Sequence, residues 1–203
     1  MLILASASPR RRELLTHAGF SFHVESIPVA EDPCLGEDPM HLVTRLAREK
    51  AEAVFATHSH QAADADPLLV LGADTVVVCD QEILGKPADA ADAARMLRLL
   101  AGRTHQVITG VCLISQRGVE SEIEVAAETT SVTMLTLSDE EILAYIATGE
   151  PMDKAGAYAI QGRASRWIPR ISGCYFNVVG LPIALVNTMI ESTLRKIAAQ
   201  SKP

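Results

Sequence analysis

Ser6-Ala7-Ser8-Pro9-Arg10-Arg11 follows the short apolar run Leu2 to Ala5, and residues of these types at a strand-to-helix turn suit an anion. Ser8 is a good N-cap and Pro9 a good first helical residue, because proline has no N–H to be orphaned there. A helix start offers unpaired N–H groups and the positive end of the macrodipole, and hydroxyls and guanidinium forks beside it favour phosphate. An N-cap whose arginines pair with Glu13 and water uses the same residues, so the string alone serves both readings. Asp74 is the second feature. It interrupts the apolar run LLVLGADTVVVC at 68–79, where a carboxylate is costly unless paired or bound to a metal.

Lysines supply the complementary charge. Val43, Leu46, Lys50 and Val54 recur at spacings of three and four, which places Lys50 on the apolar stripe of a helix. Lys86 lies in a Gly85-Lys86-Pro87 corner. Both can donate to phosphate oxygens, and both can simply snorkel. Glu31 and Asp32 sit in an acidic loop that can hold Mg²⁺ through oxygen. Asp153 to Tyr158, and on to Gln161-Gly162, is glycine-relieved and lets backbone approach a ligand. Cys174 lacks a histidine partner motif, which disfavours a thiol nucleophile.

The elements that must position these groups follow from pattern. Strands are expected over 2–5 and 20–27, helices over 9–18 and 41–55, and a loop over 30–39. A polar surface loop is expected over 58–67, with His58 and His60 in water. The run over 68–79 reads as a central strand covered on both faces, turning at Asp80-Gln81 into 82–85 as a hairpin that ends at Lys86-Pro87, with a helix over 88–100. Two long antiparallel strands over 105–115 and 120–135 and a capping-box helix from Ser138 to about 147 come next. Short strands are expected over 151–162, a hairpin over 167–171 and 174–179, and a last helix over 182–199. The interleaving makes the class α/β. No repeat or low-complexity segment is present, and lobe boundaries are placed near Gly102 and Gly149.

Composition narrows the function. The chain has 203 residues and a net charge of −7, so it lacks the basic excess that binds a nucleic-acid backbone. Aromatics are only 4%, which provides poorly for stacking on bases. Arg10, Arg11 and Arg12 form a basic spot suited to one small polyphosphate. Four scattered cysteines without a CxxC pair suit a reducing compartment and no disulfide framework. The first residues carry their apolar run before their positive charges, the reverse of a signal peptide. No apolar run approaches the ~20 residues of a membrane span. The expectation is a cytoplasmic protein with no nucleic-acid or membrane partner.

Seven segments in order resemble the Maf family of nucleotide pyrophosphatases along essentially the whole chain. They are SASPRRRELL at 6–15, RLAREKA at 45–51, GADTVV at 72–77, LGKP at 84–87, THQVITGV at 104–111, DKAGAYAIQG at 153–162 and VVGLP at 178–182. The resemblance implies one Maf-like domain over 1–203. It also implies a long mixed β-sheet flanked by helices in two lobes with a central cleft, similar to inosine triphosphate pyrophosphatases. The implied reaction is Mg²⁺- or Mn²⁺-dependent cleavage of a nucleoside triphosphate between the α and β phosphates. Ser8, Arg10, Arg11, Glu31, Lys50, Asp74 and Lys86 match the family's polar cleft, with Ser8, Arg10 and Arg11 on phosphate and Asp74 as proton acceptor. Glu31, and Asp74 as base, metal ligand or both, match the metal shell.

Arg11, Thr75 and Gln161 match the specificity positions of the branch acting on dTTP and UTP. The 7-methyl-GTP branch carries GSDQ and a glutamate in place of the glutamine. Ala30 and the stretch RASRW at 163–167 depart from the family pattern. Two rivals stand beside the pyrimidine enzyme: a modified-purine nucleotide pyrophosphatase, and a non-catalytic nucleotide-binding regulator of cell division. Thr75 and Gln161 argue against the first, and Asp74, Lys50 and Lys86 against the second. A homodimer is compatible with the resemblance.

Overall fold

The apolar run over 68–79 is the strand β3 (Leu68–Cys79), buried along nearly its whole length. In this computed structural model residues 1–58 and 67–200 are described. The expected loop over 58–67, with His60, lies outside them apart from its ends. The remaining strands are β1 (Leu2–Ala5), β2 (His23–Glu25), β4 (Glu82–Leu84), β5 (Thr104–Arg117), β6 (Glu120–Thr133) and β7 (Arg170–Ser172). The helices are α1 (Pro9–His17), α2 (Pro39–His58), α3 (Ala90–Leu100), α4 (Asp139–Ile146), α5 (Tyr175–Val179) and α6 (Ile183–Gln200). The strands form one mixed sheet in the order β2-β1-β3-β5-β6-β7, with β4 paired to β3. β1 is parallel to β2 and β3, whereas β4 and β7 are antiparallel to their partners. This is the α/β class expected, a mixed sheet flanked by helices. No helix among the described residues is long and apolar enough to cross a membrane.

The chain forms two compact units, Met1–Asp74 with Thr109–Glu128 and Gly180–Pro203, and Thr75–Ile108 with Thr129–Val179. The divisions therefore fall inside β3, β5 and β6 and after Val179, not at Gly102 and Gly149.

In the first unit β1 lies between β2 and β3, with Ala5 opposite both Glu25 and Gly72. The chain leaves β1 through α1 to one side and returns through α2 to the other, so connectivity reverses at β1. Open α/β sheets bind ligands at the carboxyl ends of strands at such a reversal. β2 is shorter than the strand expected over 20–27 because it pairs along β1, itself only four residues long. The core gathers Ile3, Ala5, Ala47, Ala51, Val54, Val70, Cys112 and Ile114. α2 rests directly on sheet backbone: a Cβ at Gly72 would come 2.1 Å from the Ala47 carbonyl oxygen, and one at Gly110 2.3 Å from that of Val43. His58 is not in water, since its Nε2 lies 2.7 Å from the Glu25 carboxylate.

In the second unit Asp80 and Gln81 both take positive φ, 49° and 70°, as a tight two-residue hairpin requires. Ser138 and Glu141 form the expected capping box. Leu84, Leu97, Leu100, Met134, Tyr145, Tyr158 and Trp167 build the core. The short strands expected over 151–162 are instead 3₁₀ turns at Glu150–Asp153 and Ala155–Ala157. Gly156 and Ala157 are consecutively left-handed, φ 67° and 57°, and such a pair cannot continue a strand. Residues 174–179, expected as a strand, are the helix α5. Thr130 Oγ1 takes the Cys174 N–H at 3.0 Å, and the buried Asn177 amide donates to the Val107 carbonyl and Thr130 Oγ1, which coils this segment over β6.

His105 is 2% exposed, its Nε2 is 2.8 Å from the Tyr158 hydroxyl, and burial pushes its pKa down to about 4. The unfolded imidazole titrates near the ordinary value of ~6.5. Below that pH the unfolded chain takes a proton that the folded chain refuses, so stability falls as pH drops from ~6.5 toward 4 and is unaffected above. The expected loss is about 2 kcal/mol by pH 5 and about 3 kcal/mol by pH 4. Urea unfolding at pH 7.5, 6 and 5 checks it, with His105→Gln expected to flatten that part of the pH dependence.

Candidate active site

The turn after β1 places Ser6 and Ser8 where the parallel strands end. Ser8 occupies the N-cap position of α1, yet its side chain makes no capping bond. Instead the Ser8 N–H donates to Ser6 Oγ at 3.3 Å. Arg11 turns back under this loop: Nε donates to the Gly180 carbonyl at 2.8 Å, and Nη1 to the Ala73 carbonyl at 2.8 Å and Ser6 Oγ at 3.2 Å. Burial lowers the guanidinium pKa from its ordinary value, Asp74 and Glu31 oppose that, and Arg10 adds to it. Arg11 is thus a fixed, buried positive charge, while Arg10 beside it is partly exposed.

Asp74 finds the partner its burial demands. Lys50 Nζ donates to Asp74 Oδ1 at 2.6 Å and lies 2.5 Å from Glu31 Oε1. The Lys50 and Asp74 side chains are nearly buried, 14% and 12% exposed, whereas Glu31 is half open at 48%. The contact of α2 with Gly72 sets this geometry, because Ala47 lies one turn before Lys50 and Gly72 lies two residues before Asp74.

The loop that brings Glu31 is itself tied down. Arg45 grips Glu37 through Nε at 2.7 Å and Nη2 at 2.8 Å, and Nη2 also reaches the Asp32 carbonyl at 3.2 Å. Arg45, then the Cys34 N–H, hold the Glu37 carboxyl down at about 2. Asp32 thus serves through its backbone.

Glu31 and Asp74 both bring hard carboxylate oxygens to the Lys50 ammonium. Mg²⁺ sites that handle phosphate use one or two carboxylates, the rest of the shell being water and phosphate oxygen, so this pair fits a divalent ion. No cluster of three or more His, Cys, Asp or Glu able to hold a metal exists among the described residues.

The second unit holds the other expected residues. Thr75 is half-buried on β3, Lys86 is exposed just after β4, and Gln161 is exposed before Gly162. The Gly156 N–H donates to the Gly85 carbonyl at 3.0 Å, which brings the DKAGAY segment against the Lys86 corner. Gly156 is needed there, since a Cβ would lie 2.9 Å from Val77. Cys174 is held through its backbone by Thr130. Sequence pattern did not reveal the anchoring roles of Ser6 and Arg45, nor Tyr145 and Glu150, whose contacts are described below. The bidentate Arg45–Glu37 pair spans eight residues, a spacing outside the helical i,i+4 rule.

Fold and site together define an α/β protein with a cluster of charged side chains, two carboxylates and a lysine, just beyond the end of β1. The sequence matches the family described as Maf-like protein over residues 1–193, and the chain belongs to that family. It is 58% identical over 190 residues to a protein of Koribacter versatilis, covering 94% of this chain and 93% of that one. It is 51% identical over 185 residues to one of Geobacter metallireducens (91% and 92%) and 50% over 198 residues to one of Geobacter sulfurreducens (98% and 97%). All three relatives are named dTTP/UTP pyrophosphatase.

Removing the shared cation tests how the triad is held. Lys50→Met leaves the Asp74 carboxylate buried beside no lysine and is expected to cost about 3 kcal/mol. Glu31→Gln, at a half-open position, is expected to cost under about 1 kcal/mol. Urea denaturation at neutral pH measures both.

Proposed function

We infer that the protein hydrolyses dTTP and UTP to the nucleoside monophosphate and pyrophosphate, keeping the nucleotide pool clean. The observation that carries the reading is Lys50 set between Glu31 and Asp74 just beyond the carboxyl end of β1, in a chain similar over nearly its whole length to proteins named for this reaction. Ser8, Arg10 and Arg11 receive the phosphates. Asp74 takes a proton from the attacking water. Lys50 and Lys86 stabilise charge that develops on the bridging and leaving oxygens. Glu31, with Asp74, would hold Mg²⁺ or Mn²⁺, which supplies charge neutralisation of the phosphates when bound.

Thr75 and Gln161 read the pyrimidine edge by hydrogen bonds, with Arg11 as the third specificity position. Its bonds to Ser6 and to the Ala73 and Gly180 carbonyls hold its guanidinium in place within the first unit. Hydrogen-bond readout rejects a ligand that leaves a buried group unpaired. The cytoplasm is the expected place of work, in keeping with four cysteines that are all free, and a homodimer is compatible with this reading.

Purified protein with Mg²⁺ or Mn²⁺ is expected to turn dTTP and UTP into monophosphate and pyrophosphate. Chromatography showing diphosphate and orthophosphate would place the cut at the γ position and refute the assignment. Asp74→Asn is expected to lower turnover by on the order of 10²-fold or more with the fold retained, as read by kinetics alongside circular dichroism. Gln161→Glu exchanges an amide donor for a carboxylate acceptor. It is expected to lower kcat/KM for dTTP and UTP by roughly 10-fold and to narrow the gap to GTP. An unchanged UTP-to-GTP ratio would remove Gln161 from base recognition.

A further inference from the structure

A pair formed by the buried Tyr145 and the half-buried Glu150 holds the backbone on both sides of Gln161. Tyr145, on α4, is 1% exposed. Its hydroxyl donates to Glu150 Oε1 at 2.8 Å and accepts the Ala159 N–H at 3.2 Å. The Glu150 carboxylate in turn accepts the Arg163 N–H, at 2.9 Å on Oε1 and 3.3 Å on Oε2. Ala159 precedes Gln161 by two residues and Arg163 follows it by two. Between them the Gly162 N–H closes a turn onto the Ala159 carbonyl at 3.0 Å. A Cβ at Gly162 would come 2.1 Å from Glu150 Oε1, so a larger residue there would displace the carboxylate from these bonds.

The frame is rigid behind the pair as well. The Tyr145 ring meets Trp167 edge-on at 5.4 Å, and the indole N–H donates at 3.3 Å to Glu141, the carboxylate of the α4 capping box. Burial, then the bond to Glu150, raises the Tyr145 phenol pKa, so the hydroxyl stays a donor throughout the working pH range. Gln161 itself is exposed, so its backbone is fixed from behind while its amide is open to a ligand. Hydrogen bonds weaken steeply as their angle falls below ~120°. An amide that reads a base edge therefore needs a backbone that cannot rotate.

We propose that Tyr145 and Glu150 are positioning residues for Gln161, setting the direction of its amide and through it the preference for pyrimidine over purine nucleotides. The proposal rests on the reading that Gln161 contacts the base. A pair that only stabilised the fold would affect thermal stability and leave substrate preference alone.

Full-length Tyr145→Phe, Glu150→Met, Glu150→Gln, Gln161→Ala and the double variant Tyr145→Phe/Gln161→Ala are compared by kcat and KM for UTP and GTP with Mg²⁺. Tyr145→Phe and Glu150→Met are expected to lower the UTP-to-GTP ratio of kcat/KM by about five- to tenfold. The change should lie in KM for UTP, with kcat held within about twofold. Glu150→Gln keeps an oxygen acceptor for both partners and is expected to retain the ratio. In the Gln161→Ala background Tyr145→Phe is expected to add nothing further to the loss of preference.

A ratio that Gln161→Ala lowers but Tyr145→Phe and Glu150→Met leave unchanged overturns the positioning role and leaves base reading by Gln161 standing. A Tyr145→Phe effect of undiminished size without Gln161 also overturns it. A ratio unmoved by Gln161→Ala, or no preference in the wild type, overturns both. If Tyr145→Phe does not fold, the contrast between Glu150→Met and Glu150→Gln decides.

Discussion

A carboxylate in the middle of a covered strand must have a cation, and that demand organises the first unit. Asp74 is 8% exposed, and a residue in a central strand cannot move to find its partner. The lysine has to be delivered to it. α2 does so by lying flat against the glycines of β3 and β5, an approach that any side chain at Gly72 or Gly110 would block. Once Lys50 is fixed, it gathers Glu31 from the adjoining loop, and the Arg45–Glu37 pair keeps that loop close. The same ion cluster that satisfies the buried Asp74 leaves two carboxylates and a lysine together just beyond the end of β1.

The two units use different means to fix their functional groups. In the first, charges fix one another: Lys50 between two acids, and Arg11 bonded to two carbonyls and a serine while facing Asp74. In the second, hydrogen bonds, several of them onto the Glu150 carboxylate, and ring contacts fix backbone. Tyr145, Glu150 and Trp167 stand behind Gln161, and His105 holds the DKAGAY segment through its last residue, Tyr158. Ionic clusters suit a site that must meet phosphate charge. Rigid backbone suits the reading of an uncharged base edge, where direction counts for more than charge.

Much of this was legible in the chain, for identifiable reasons. β3 and the capping box at Ser138 follow from local pattern, and Lys50 betrayed itself by interrupting an apolar stripe. Asp74 did so by interrupting an apolar strand. The segments over 151–162 and 174–179 misled because their apolar and β-branched residues imitate strands, whereas left-handed Gly156 and Ala157 and the buried Asn177 amide decide the outcome. Those deciding contacts join residues far apart in sequence, Asn177 with Val107 and Thr130 for example. No short-range pattern carries them. Ser8 shows the opposite limit: a cap residue in cap position that makes no cap, its backbone N–H bonded to Ser6 instead.

The distribution of aromatic residues has an optical consequence. The lone tryptophan, Trp167, and all three tyrosines, Tyr145, Tyr158 and Tyr175, belong to the second unit, while the first contains phenylalanines alone. Intrinsic fluorescence therefore watches one unit and is blind to the other. Trp167 sits edge-on to Tyr145 with the Arg166 guanidinium 4.2 Å over its ring, so its emission also senses the frame around Gln161. Far-ultraviolet dichroism, by contrast, reports helices of both units. Where the two signals change together on denaturation the units unfold as one, and where they part the fluorescence trace belongs to the second unit by itself.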